Sequence, residues 1–158
     1  MNLTVDIQSA STEPVPEQGD IRSWINTALS HCEPHKEEAE VSVRLVDEAE
    51  MAELNSSYRN TYGTTNVLSF PADLPEDINV PMLGDIVICA PVVRGEAQIQ
   101  GKTLTAHWAH MTVHGTLHLL GYDHIIDKEA LVMETLETEI LEILNYPCPY
   151  AGYPSQEH

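Results

Sequence analysis

At 158 residues the chain is the size of one ordinary domain, long enough for a core that needs no staples. Hydrophobic residues make up 42%, which excludes a disordered composition, and seven Lys plus Arg against 25 Asp plus Glu give a formal net charge of -18. Such a surface repels polyanions at long range and excludes a protein that coats nucleic acid through a broad basic face. An RNA substrate would need a locally positive cleft, a metal ion, or a partner that delivers it. Cys32, Cys89 and Cys148 are odd in number, widely spread and without a CxxC, so they make neither a disulfide framework nor a zinc ribbon. The start, MNLTVDIQSA, lacks a basic segment followed by an apolar stretch, and no apolar run approaches the roughly 20 residues of a membrane helix. A cytoplasmic protein with no membrane partner is the expectation.

In chain order, Leu3 to Ile7 alternates apolar and polar as a half-buried strand does. Residues 20–32 predict a helix with Ile21, Trp24, Ile25 and Leu29 on one face. Val41, Val43 and Leu45 mark a second strand, after which Asp47 can cap a helix over residues 48–58. Two more strands are expected at 66–70 and 85–89, the latter nearly all apolar and therefore central. Between them Pro71 to Pro81 is a polar loop rich in Pro, Asp and Glu. Helices follow over residues 92–100, 105–120 (ended by Gly121) and 128–144, the last with Leu131, Leu136, Ile140 and Ile143 at helical spacing. Residues 146–158 hold too many prolines to continue a helix. The order implies a single α+β domain, a small mixed sheet of about four strands packed with about five helices.

Five of eight histidines fall in the 18-residue window 107–124. His114 and His118, four apart on a predicted helix, share a face with Cβ atoms about 5–6 Å apart, which lets both imidazoles reach one ion. Gly121 can turn the chain so that His124 returns as a third ligand. Three protein ligands leave a fourth position for water, the arrangement of a catalytic zinc site. One zinc per chain on His114, His118 and His124 is the expectation. His107 and His110 lie on the same stripe and are assigned to packing or to hydrogen bonds beneath the site. The spacing H-x-x-x-H-x-x-G-x-x-H is also that of metzincin proteases, but Gly115 stands where their general-base Glu would be.

The run HGTLHLLGYDH resembles the signature H-G-x-L-H-L-x-G-Y-D-H of the YbeY family of bacterial endoribonucleases. LNSSYRN (Leu54–Asn60), TNVLSFP (Thr65–Pro71), LGDIVI (Leu83–Ile88) and AHWAHMTVHG (Ala106–Gly115) are similar to further family blocks in the same order. The resemblance implies an α/β/α layered fold with zinc on the three histidines. It also implies cleavage of single-stranded RNA, processing of the 3′ end of small-subunit ribosomal RNA, and a part in ribosome quality control. Arg59 and His114 match positions implicated in activity. Asn66 stands where Asp is common, and Asn60 to Thr64 lacks the lysines often found there, which bears on how tightly RNA is held.

On a phosphodiester the Arg59 guanidinium could grip two oxygens and stabilise developing charge. Asp85 interrupts an apolar segment, so it either accepts a hydrogen bond from a ligand histidine or pairs with backbone at the start of a strand. Asp123 either supports the site or shapes the turn before His124. Two other readings stand beside the nuclease. One is a metallopeptidase, weakened by Gly115. The other is a zinc-stabilised module that assists ribosome assembly without catalysis.

Overall fold

The computed structural model describes residues 2–59, 63–72, 81–123 and 126–150, Arg59 through its backbone alone. Strand β1 (Asn2–Ser9) leads to helix α1 (Gln18–Cys32), strand β2 (Glu38–Val46) and helix α2 (Glu48–Arg59). Strands β3 (Val67–Pro71) and β4 (Met82–Cys89) follow, then helices α3 (Ala90–Gln100), α4 (Leu104–Leu119) and α5 (Asp127–Ile143). This is the expected α+β mixture, with four strands and five helices among the described residues. Most of the acidic loop, residues 73–80, lies outside them.

The strands run in the order β1-β2-β4-β3. β2 pairs parallel with β1 and with β4, and β3 closes the edge antiparallel to β4. The apolar run Ile86 to Cys89 is thus central and buried on both faces, as such a run requires. Alternation along β2 sends Ala39, Val41, Val43 and Leu45 to one face, where α1, α4 and α5 pack in the main core. Val46, Leu68, Val87 and Cys89 meet Met51 of α2 on the other face. Three layers result. The expected apolar stripe of α1 is buried in full, at roughly 1.5–3 kcal/mol per large side chain.

Two local expectations fail. The Asp47 carboxylate does not turn onto the amides of α2. It accepts instead from Ser11 Oγ at 2.5 Å, Thr12 N at 3.0 Å and Thr12 Oγ1 at 2.8 Å, and these bonds hold its carboxyl below the usual range. Three donors from the loop after β1 outcompete one helix terminus. In α5 the buried face is Met133, Glu137, Ile140 and Leu141, while Leu131 is 67% exposed. At about 100° per residue, Leu131 and Ile140 point in opposite directions, so they cannot share a stripe.

α4 is the central element, and α1, α3, α5, β3 and β4 all pack against it. Thr103 Oγ1 caps it by accepting from Ala106 N at 3.1 Å. Its other end closes with Gly121 N on His118 O and Tyr122 N on Leu117 O, and Gly121 takes a φ of 100° that only glycine adopts without strain.

Candidate metal centre

Because α4 repeats every 3.6 residues, His107, His110, His114 and His118 form one row along it. Successive ring centroids are 6.0, 6.3 and 4.6 Å apart, each pair edge to face. His107 and His110 are buried. His114 and His118 open on a groove of about 890 Å3, whose opposite wall is Asn66 to Ser69 at the start of β3.

His114 is the pivot of this row. Its Nδ1 donates to Glu137 Oε2 at 2.9 Å, and its Nε2 lies 3.1 Å from Nε2 of His118. The same Glu137 oxygen accepts from His110 Nε2 at 2.9 Å, and the other oxygen accepts from the Tyr150 hydroxyl. Burial alone would raise the pKa of this carboxyl, but the bonds from His110 and His114 hold it well below the usual range. Glu137 is therefore an ionised group 1% exposed, fully occupied by three donors. Burial pushes His110 down, and burial together with the charge of Glu137 pushes the Tyr150 hydroxyl up. A carboxylate on Nδ1–H fixes the tautomer of His114 and leaves its Nε2 lone pair directed at His118.

His110, His114 and Glu137 carry ligand atoms within 4.8 Å of one another, so this buried cluster could bind a metal ion. The structure brings two of the three expected ligands, His114 and His118, nitrogen to nitrogen. His124 and the Arg59 side chain lie outside the described residues. A second lock sits at the other end of the row. Glu96 Oε1 accepts from His107 Nε2 at 2.9 Å, and Asn66 Nδ2 lies 3.2 Å from both Glu96 oxygens. His107 and His110 thus each hydrogen-bond a carboxylate, and His110 is itself part of the cluster that could bind a metal ion.

The family model described as Endoribonuclease YbeY matches residues 6–145. The chain belongs to the YbeY family. It is 52% identical over 157 residues to an Endoribonuclease YbeY of Pseudomonas syringae pv. tomato, covering 99% of this chain and 93% of that one. It is 52% identical over 153 residues to the protein of the same name from Psychromonas ingrahamii, covering 95% and 97%. Among solved structures it is similar to the solution structure of TM1509 from Thermotoga maritima, with a TM-score of 0.56 and 25% identity, covering 90% of this chain and 92% of that one.

The packing of α4 explains why the YbeY chain has glycine where a metzincin has its base. A Cβ on Gly115 would meet Ile86 Cγ2 at 2.8 Å, Val67 Cγ2 at 3.3 Å and Ser69 Oγ at 3.4 Å. Ser69 Oγ also donates to Gly115 O at 2.9 Å, which ties β3 to the helix here. The sheet fills the space a carboxylate would need, and peptide hydrolysis by that route has no base.

Asp85 plays no part in the site. It is exposed on the α2 side of the sheet, in a groove with Arg44 and Tyr58, while its neighbour Ile86 faces α4. Strand alternation puts successive residues on opposite faces, so only one of the two could reach the histidines. Asp123 does line the metal-side groove. Sequence reasoning missed Glu137, Tyr150 and Glu96. Glu137 had a signal, a carboxylate four residues after Met133 and three before Ile140 on the apolar stripe of α5. Tyr150, beyond the last helix, had none.

Proposed function

We propose that this YbeY-family chain is a metal-dependent endoribonuclease. It cuts single-stranded RNA in the cytoplasm, acting on the 3′ end of small-subunit ribosomal RNA and in ribosome quality control. The observation that carries the reading is the 3.1 Å between the Nε2 atoms of His114 and His118. Two nitrogens each about 2.0–2.1 Å from a shared tetrahedral ion stand about 3.3 Å apart, so this pair is preset as one edge of a zinc site. We assign one zinc per chain to His114, His118 and His124, the last returning after Gly121. The alternative position, on Nδ1 of His114, would require Glu137 Oε2 to give up the bonds it accepts from His110 and His114.

When bound, the ion polarises a phosphate oxygen and acidifies water. The chain's own residues do the rest. Glu137 orients the His114 ring, β3 walls the groove that receives the strand, and Arg59 balances charge on the phosphate. RNA as substrate is supported by the name that relatives at about half identity carry. A formal charge of -18 supports delivery by the ribosome or an associated protein rather than tight capture of free RNA. Among the described residues no helix is long and apolar enough to cross a membrane, and the three cysteines are unpaired, as in a reducing compartment.

The deciding experiment is cleavage of single-stranded RNA by metal-quantified protein, with His114→Ala and Arg59→Ala beside it. Both variants lose cleavage on this reading, and His114→Ala also loses metal. A folded His114→Ala protein that fully restores ribosomal RNA processing in cells would turn the reading to a non-catalytic assembly factor. The product ends distinguish two routes, since a cyclic phosphate requires attack by the substrate's 2′-OH.

A further inference from the structure

Residues 144–150 lead from α5 back to the metal centre. The chain turns at Asn145, whose φ of 67° is left-handed, with Leu144 N on Ile140 O and Tyr146 N on Leu141 O. Tyr146 then packs against the main core, its ring edge to face with Trp24 at 6.4 Å. Cys148 Sγ lies 3.7 Å from Thr138 Oγ1, and Pro147 and Pro149 each fix a backbone φ. The segment is irregular, as its prolines require, yet it is fastened to the domain as far as Tyr150.

Tyr150 is half-buried and lines the groove that His114 and His118 open on. Its ring meets His110 edge to face, with centroids 5.5 Å apart. Its hydroxyl donates to Glu137 Oε1, while Glu137 Oε2 takes the bonds to His110 and His114. A carboxylate held at one oxygen can still turn about its last torsion, which is broad and two-fold. Held at both, it cannot. Tyr150 is the donor to the second oxygen, so it fixes the plane in which Oε2 meets His114 Nδ1. Burial and the charge of Glu137 raise the pKa of the phenol, so it keeps its proton and stays a donor.

We infer that Tyr150 is a positioning residue for the metal centre, holding the His114 ring through Glu137 with its Nε2 turned to the ion. The inference rests on the metal site proposed above and not on the substrate. The phenol touches neither the ion nor the RNA in this role. It keeps a buried carboxylate still, and the carboxylate keeps a ligand ring still.

The test is a double-mutant cycle on zinc affinity, measured on the full chain by competition with a chromophoric chelator. Tyr150→Phe is expected to bind zinc about tenfold more weakly than wild type, the lower end of the loss for partners of a metal ligand. In a Glu137→Gln background the same change should cost less than about threefold, because the phenol acts through that carboxylate. A packing role alone would lower the urea midpoint of metal-free protein and leave zinc affinity where it was. Affinity of Tyr150→Phe within twofold of wild type overturns the inference, and so does an equal loss in both backgrounds. Cobalt(II) absorption gives a second readout that needs the variant folded only with metal bound. Its visible bands report ligand geometry and should change in position or intensity when the hydroxyl goes; unchanged bands overturn the assignment as well. Wild type that takes up neither zinc nor cobalt removes the metal site and this role with it. A loaded wild type matched by Tyr150→Phe removes the role alone.

Discussion

Replacing Glu137 with glutamine tests whether the carboxylate orients the proposed ligand His114 or is itself a ligand. The substituted side chain would keep the volume and could still accept from His110 and His114 through its carbonyl, while its amide donates to the Tyr150 oxygen. What goes is the charge. Bonds to a charged acceptor contribute roughly 1.5–3 kcal/mol and neutral ones 0.5–1.5, so the two histidine bonds together weaken by about 2–3 kcal/mol. The neutral side chain also escapes the cost of burying a charge at a site 1% exposed, which offsets part of this and leaves about 1–2 kcal/mol lost from metal-free stability. Loss of a group that orients a ligand typically weakens metal affinity 10–100-fold. The assays are urea unfolding of metal-free protein and zinc titration against a chromophoric chelator, followed by cleavage at saturating zinc, which should recover. Zinc affinity within twofold of wild type would show that Glu137 does not orient the site. A site that no zinc concentration fills would make Glu137 a direct ligand and move the ion to the Nδ1 side of His114.

Further variants separate the remaining parts. His118→Ala should stay folded, since the ring is only part-buried, yet lose bound metal and at least about 100-fold in cleavage; elemental analysis and RNA kinetics check this. Arg59→Ala should lower cleavage about 100–1,000-fold with zinc affinity unchanged, as measured by the same titration. Gly115→Ala forces a methyl to within 2.8 Å of Ile86 and should cost about 1–3 kcal/mol in denaturant unfolding, less what alanine returns as a better helix former. Burial alone would raise the pKa of Glu96, but hydrogen bonds from His107 and Asn66 lower it on balance. A depressed carboxyl contributes stability above its ordinary 4.5 that is lost as pH falls through its folded value. Glu96→Gln should therefore flatten the loss of stability with pH below about 4.5, read by thermal unfolding across pH.

The elements and the His114–His118 pair were legible because both are periodic. A ligand spacing of four on a helix states its own geometry, and alternation in β2 states which face is buried. What stayed hidden depends on contacts between distant segments. Glu137 meets His114 across 23 positions of chain, and among many surface acids its value comes only from α5 docking on α4. Asp85 stayed open between two roles for the converse reason, since a polar residue in an apolar strand does not say which face it takes. Asp47 and Leu131 show the same limit at short range, where a nearby loop or the wheel of one helix redirects a side chain.

Helix α4 bears the imidazoles and is also the strut on which the neighbouring layers rest. One residue inserted between His114 and His118 would swing a ring through about 100° and break the core in the same stroke. On the proposed reading, hydrolytic capacity is therefore inherited with the architecture and cannot drift on its own. The far bank of the groove is a sheet margin, paired with β4 on one side only, yet Leu68 is buried against Met51 and Ser69 holds Gly115, so this bank too is tied to the interior. On the proposed reading, the two banks of the groove therefore change only together with the core that holds them.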